Sequence, residues 1–139
     1  MVDDKQRVIS MGFNGPPRGV ADTRLHDREV KYRHIIHAEM NALLFAARSV
    51  EGATCYVWPL PPCASCSSKL IQSGIARVVS PLPPEEYFNR QEPDIILAYE
   101  LLQESGVEFV PVLGPPPNSL FHHHLLERVY SNSTPVWRT

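Results

Sequence analysis

Four residues in this chain have the types and the spacing to hold a metal and move a proton: His37 and Glu39 in "HAE", and Cys63 and Cys66 in "PCASC". One imidazole and two thiolates are three good zinc ligands, one fewer than a closed structural site uses, so a fourth position is left for water. By count Glu39 is also a candidate for that position. Its place two residues after His37 suits another job, carrying the proton of that water. Zinc lowers the pKa of a bound water from ~15.7 to about 7. The hydroxide so made can attack an amidine-like ring carbon.

Each of these residues has a plainer role when taken alone. A single histidine is more often structural than a ligand, and a glutamate in the first turn of a helix is favoured there by the helix dipole. A lone C-x-x-C serves equally as a redox pair or as half of a structural zinc site. Taken jointly, with both elements at helix starts and the cysteines preceded by proline, the four residues point to a metal site with an open position. Helix starts also favour thiolate over thiol, because unpaired N–H groups and the positive end of the dipole lie there. Cys55, in the middle of an expected strand, reads as a buried small apolar group.

The elements that must position these residues follow from periodicity. Met40, Leu43, Leu44 and Ala47 recur at helical spacing, predicting a helix over 38–48 with that stripe buried. The segment 53–60, "ATCYVWPL", reads as a strand buried on both faces and ended by Pro61 and Pro62. A helix from Ala64 to Ser73 is expected to stop at Gly74, before the strand "ARVVS". Asp94 is expected to cap a further helix ending at Gly106, before the strand "VEFVPV". A short strand over 7–11 opens the chain, and a last helix from Asn118 to about Tyr130 closes it. The fold class is therefore α/β, with right-handed crossovers and parallel later strands.

At 139 residues the chain suits a single domain spanning 1–139. A net charge of -2 gives no general pull toward nucleic acid or anionic lipid. No apolar run approaches the ~20 residues of a membrane helix, and the three cysteines are too few for a disulfide framework. A cytoplasmic enzyme or binding module is expected, with no membrane partner. The 14 prolines cluster in "GPPRG", "WPLPPC", "SPLPPEE" and "GPPPN", which read as stiff connections.

H-x-E followed by P-C-x-x-C resembles the signature of zinc-dependent cytidine and deoxycytidylate deaminases. "SMGFNGPPRGV", "DREVKYRHIIHAEMNAL", "GATCYVWPLPPCASCSSKLIQSGIARVV" and "LLQESGVEFV" are similar to the deoxycytidylate branch, covering about Val8 to Val112. The resemblance implies a three-layer fold with a mixed sheet of about four to five strands and helices on both faces. It implies Zn2+ on His37, Cys63 and Cys66, with Glu39 as general acid/base. The reaction it implies is hydrolytic deamination of a free cytosine nucleotide, dCMP to dUMP with release of ammonia. Asn14 would contact the sugar and Ala38 would lie against the base through its backbone; as a turn residue, Asn14 would instead favour a left-handed backbone. Candidate phosphate partners are Arg18, Arg28, Lys31 and Arg33.

Two departures from the family pattern bear on expectation. The chain begins where the family's first strand would end, so the first helix and most of that strand are expected to be missing. Either the true start lies upstream of Met1, or the chain is a trimmed member whose sheet edge or helix layer is completed otherwise, as by a partner subunit; a homo-oligomer, dimer or hexamer, is expected. The segment 20–34 carries only His26 and His34 where regulated members have a longer insert, which argues against a triphosphate regulator. Two alternatives stand beside the main reading. One is a deaminase of another heterocycle or of a base within nucleic acid; the other is a non-catalytic zinc-stabilised assembly module. His122, His123 and His124 read as a solvated or partner-facing helical run rather than a second metal site.

Overall fold

A computed structural model describes residues 1–21 and 26–112, together with Leu125 and Glu127. The elements in chain order are helix α1 (Arg28–His34), helix α2 (Ala38–Leu44), strand β1 (Thr54–Tyr56), helix α3 (Ala64–Gln72), strand β2 (Arg77–Pro81), helix α4 (Glu85–Ser105) and strand β3 (Glu108–Val112). The last expected helix, with His122, His123 and His124, lies outside the described residues save for Leu125 and Glu127; Leu125 is buried.

The three strands form a parallel ladder in the order β1-β2-β3. Antiparallel bridges from Val2 to Thr54 and from Val2 to Val8 widen the sheet beyond β1. This makes the sheet mixed, as expected, although the segment expected as a strand over 7–11 contributes only the bridge at Val8. Right-handed crossovers through α3 and α4 between successive neighbouring strands place both helices on one face. Leu70, Leu102 and Val78 are almost wholly buried. Tyr99 meets Phe109 edge to face, with ring centroids 4.8 Å apart.

Local chemistry explains where the helices begin and end. Asp27 caps α1 by accepting from the backbone N–H of Glu29 and Val30, and Lys31, Arg33 and His34 complement the dipole in its last turn. α3 stops where Ser73 and Gly74 turn the chain; Gly74 has φ +83°, a conformation only glycine adopts without strain. Gly106 ends α4 in the same way.

Three expectations are corrected here. Helix α2 ends at Leu44, and its buried residues are Glu39, Asn41 and Ala42. Met40 and Leu43 are only half-buried, while Leu44 and Ala47 are exposed. The apolar stripe marked a helix and misplaced its inner face. Asp94 likewise does not open a helix, since α4 begins at Glu85 and bends at Gln91 (φ -122°), just before Pro93. Proline fits at the first turn of the segment after the bend, where a missing N–H costs nothing. The strand expected over 53–60 is also shorter, Thr54–Tyr56, with Tyr56 exposed. Pro59, Pro61 and Pro62 remove most of the donors with which the ladder would continue.

The N-terminal segment is fastened hard against α2. A Cβ on Gly12 would drive into the Ala38 carbonyl and the Ala42 amide, so only glycine fits there. Asp3 accepts from Arg48 Nη2 at 2.8 Å and from Arg7 Nε at 2.8 Å, tying this segment to the chain just beyond α2. Further on, Gly15 and Ile36 exchange backbone hydrogen bonds of 3.1 and 2.8 Å. That bridge sets "FNG" beside His37.

Candidate active site

Two helix starts meet at the site. His37 is the N-cap of α2, yet its side chain makes no capping bond. Its imidazole faces the thiols instead, with Nδ1 3.6 Å from Cys63 Sγ and 3.3 Å from Cys66 Sγ. Cys63 is the N-cap of α3, and its sulfur accepts the Cys66 N–H at 3.4 Å. The three donor atoms lie within 4.8 Å of one another. A tetrahedral zinc with ordinary Zn–N and Zn–S bonds separates its nitrogen and sulfur ligands by about 3.5 Å. The two nitrogen–sulfur separations match that geometry, so the three side chains fit the metal as a donor set.

Each of these two helices has its first N–H satisfied from elsewhere in the chain. Asn14 Oδ1 accepts the Ala38 N–H at 2.8 Å, standing in for the cap that His37 does not supply. Asp94 Oδ2, from α4, accepts the Ala64 N–H at 3.1 Å at the start of α3. Asn41 Nδ2 donates to the Phe13 carbonyl at 2.7 Å and holds the loop that carries Asn14.

The electrostatics match a metal centre. Cys63 is pulled down to about 4, first by the hydrogen bond from the Cys66 thiol, with His37 and the Cys66 N–H adding to it. Cys66 moves up for the complementary reason, because it keeps the proton that the pair shares. His37 is raised by its bond to Cys63. A metal displaces these shared protons, since its ligands must be thiolate and neutral imidazole. Burial pushes Glu39 above the usual carboxylate range, which suits a group that must both take and give a proton. Cys55, buried and outside the donor cluster, is raised to about 12 by burial, in keeping with a packing role.

A cavity of about 270 Å³ opens onto the cluster. His37, Ala38, Glu39 and Cys63 line it together with Asn14 and Lys31. Among the four candidate phosphate partners, Lys31 alone lines this cavity; Arg18 and Arg33 are exposed elsewhere, and Arg28 lies over the Tyr32 ring at 5.6 Å. The Arg28 guanidinium, bonded to the Tyr32 hydroxyl, holds that phenol below the usual tyrosine range. Asn14 occupies a cavity wall without a left-handed backbone, so the turn explanation of its presence fails.

Sequence reasoning missed the aromatic walls Trp58 and Tyr87, which also line the cavity. Trp58 sits in a proline-rich loop and Tyr87 in a helix that periodicity places later, so neither carried a local signal.

The family profile described as "Cytidine and deoxycytidylate deaminase zinc-binding region" matches residues 1–81. The chain belongs to the cytidine and deoxycytidylate deaminase family. Zinc is accordingly the metal of this domain, and His37, Cys63 and Cys66 are positioned to hold it. An Aliivibrio fischeri protein named "Uncharacterized deaminase in luxG 3'region" is 40% identical over 110 residues, covering 78% of this chain and 74% of that one. The deoxycytidylate deaminase of Enterobacteria phage T4 is 57% identical over 78 residues, 54% of this chain and 40% of the phage protein. The human deoxycytidylate deaminase is 33% identical over 87 residues, 57% of this chain and 48% of its own length. The chain thus spans less than half of these two deaminases. In fold it is similar to the dCMP deaminase of cyanophage S-TIM5, solved in complex with dCMP and dUMP, with a TM-score of 0.58 at 22% identity over 78% of this chain and 76% of that one. Among the described residues no helix is long and apolar enough to cross a membrane.

Proposed function

We propose that the chain deaminates a free cytosine nucleotide, dCMP to dUMP with release of ammonia. The observation that carries this reading is the buried Glu39 carboxylate beside a three-donor metal cluster, with both opening onto a cavity that has Lys31 in its wall. When bound, zinc supplies Lewis-acid activation of the attacking water. Glu39 takes a proton from that water and passes it to the ring nitrogen next to the reacting carbon. The same carboxyl then serves the departing ammonia, a reuse favoured by its raised affinity for protons. Trp58 and Tyr87 offer flat walls for the base. Asn14 fixes the start of α2 and faces the sugar, while Ala38, its N–H already engaged by Asn14, borders the base. Lys31 provides the cation for a monophosphate.

The relatives named as deoxycytidylate deaminases and the nucleotides bound in the cyanophage structure support this choice of substrate. The test is ammonia release by zinc-loaded protein from dCMP, cytidine and guanine. Preference for dCMP is the expected result, and no release from any of the three sinks the proposal. Preference for a base in tRNA or single-stranded DNA, with steep salt dependence of binding, would move the activity to nucleic acid.

The assembly we propose is a homo-oligomer. Val8, Met11, Tyr56 and Trp58 are exposed apolar side chains that wall a second cavity of about 390 Å³, and exposed apolar surface of this kind favours association. Light scattering that reports a monomer at micromolar concentration would dismiss it.

A further inference from the structure

The two helices that present the metal ligands share a design. The N-cap of each is itself a metal-ligand candidate, His37 for α2 and Cys63 for α3; His37 makes no capping bond and Cys63 Sγ accepts the Cys66 N–H, so the first N–H of each helix is left to a partner elsewhere in the chain. For α3 that N–H belongs to Ala64, between the two cysteines, and its partner is the Asp94 carboxylate of α4. Asp94 is half-buried and is flanked in α4 by the buried Ile95 and Ala98, which face the core. Its carboxylate is thus held at a fixed height against the positive end of α3, where an anion is favoured. α3 and α4 pack along each other, so the bond ties the first turn of one to the body of the other.

We infer that Asp94 is a positioning residue of the metal site: its hydrogen bond to Ala64 fixes the first turn of α3 so that Cys63 and Cys66 converge with His37. Outer partners that orient metal ligands typically change affinity by about 10–100-fold when removed. Asp94 acts one step further out than most such partners, through the backbone of the residue next to Cys63. Asn14 performs the same service for the helix of His37. Together the two borrowed acceptors satisfy the first N–H of both helices that present the metal donors.

The inference rests on the metal site and not on the identity of the substrate. Zinc affinity by chelator competition therefore tests it separately from any deamination assay. D94A is expected to weaken zinc binding by about 10–100-fold and to alter the thiolate-to-metal absorption of the cobalt-substituted protein. D94N keeps an oxygen acceptor and is expected to restore both within about threefold, in line with a role carried by the hydrogen bond. D94L, which fills the space without an acceptor, is expected to behave as D94A and serves where D94A does not fold. Wild-type zinc affinity and cobalt absorption in the acceptor-free variants would overturn the assignment. So would a D94N variant as weak as D94A, because charge alone would then account for the effect.

Discussion

The Asn14 side-chain oxygen accepts the backbone N–H of Ala38 at 2.8 Å, bridging 24 positions in the chain to the first residue after His37. The bond explains how a histidine can occupy an N-cap position while its ring faces two thiols. N14A removes it and is expected to destabilise the protein by about 1 kcal/mol, the usual cost of losing a helix cap. N14D keeps an acceptor and is expected to recover most of the loss. Urea unfolding of the two variants checks this; equal destabilisation in both would assign the stability to something other than the cap.

Glu39 is buried at the second position of α2, with its carboxyl raised by burial. E39Q keeps the shape and removes the proton carrier. Zinc content is expected to stay near one per chain, while kcat falls by about 10²–10⁴-fold, the range supplied by a positioned acid or base. Metal analysis alongside ammonia release separates the two effects. Turnover at the wild-type rate would rule out Glu39 as the shuttle.

Lys31 lines the cavity and Arg33 does not. A charge-assisted hydrogen bond to phosphate contributes about 1.5–3 kcal/mol, so K31A is expected to lower kcat/KM for dCMP by about 10–100-fold and to leave deoxycytidine turnover nearly unchanged. R33A serves as the control with little effect on either. A K31A variant that loses both substrates equally would remove phosphate from the role of Lys31.

Asp3 accepts from two guanidinium groups and from the backbone N–H of Lys5 and Arg7, and these partners, Arg48 foremost, hold its carboxyl far below its ordinary 3.8. A carboxylate depressed in the folded state adds stability that is fully present above the unfolded value and is lost as pH falls toward the folded one. D3N is therefore expected to melt at a lower temperature than wild type at neutral pH, with the gap closing below about pH 4. Melting curves from pH 7 to pH 3 check the sign; a gap that widens on acidification contradicts it.

The donor cluster of His37, Cys63 and Cys66 was readable from the chain because metal ligation depends on local spacing and on helix starts, both of which survive without tertiary information. Gly74 and Gly106 marked helix ends for the same reason, since a left-handed cap is a local demand. The inner face of α2 was not readable. Periodicity reports which side of a helix is apolar, and here Leu44 and Phe45 on that helix's last turn are exposed while Glu39 and Asn41 are buried. Asp94 had the composition of a helix cap and does cap a helix, but one that begins 30 positions earlier. Such pairing across the fold leaves no trace in a single sequence. The choice of Lys31 among four cations is of the same kind, decided by where α1 sits.

The bend in α4 stands between a wall of the cavity and the scaffold of the metal site. Tyr87 borders the cavity from one side of Gln91, and Asp94 holds α3 from the other. Seven positions separate them, and the non-helical Gln91 lies between, so their relative placement is set by the bend and not by one continuous helical phase. Length in this stretch is therefore under tighter constraint than residue type: substitutions at Asn89, Arg90 or Gln91, all exposed, keep the spacing across the bend, whereas an insertion or deletion there shifts the wall of the pocket against the scaffold of the metal.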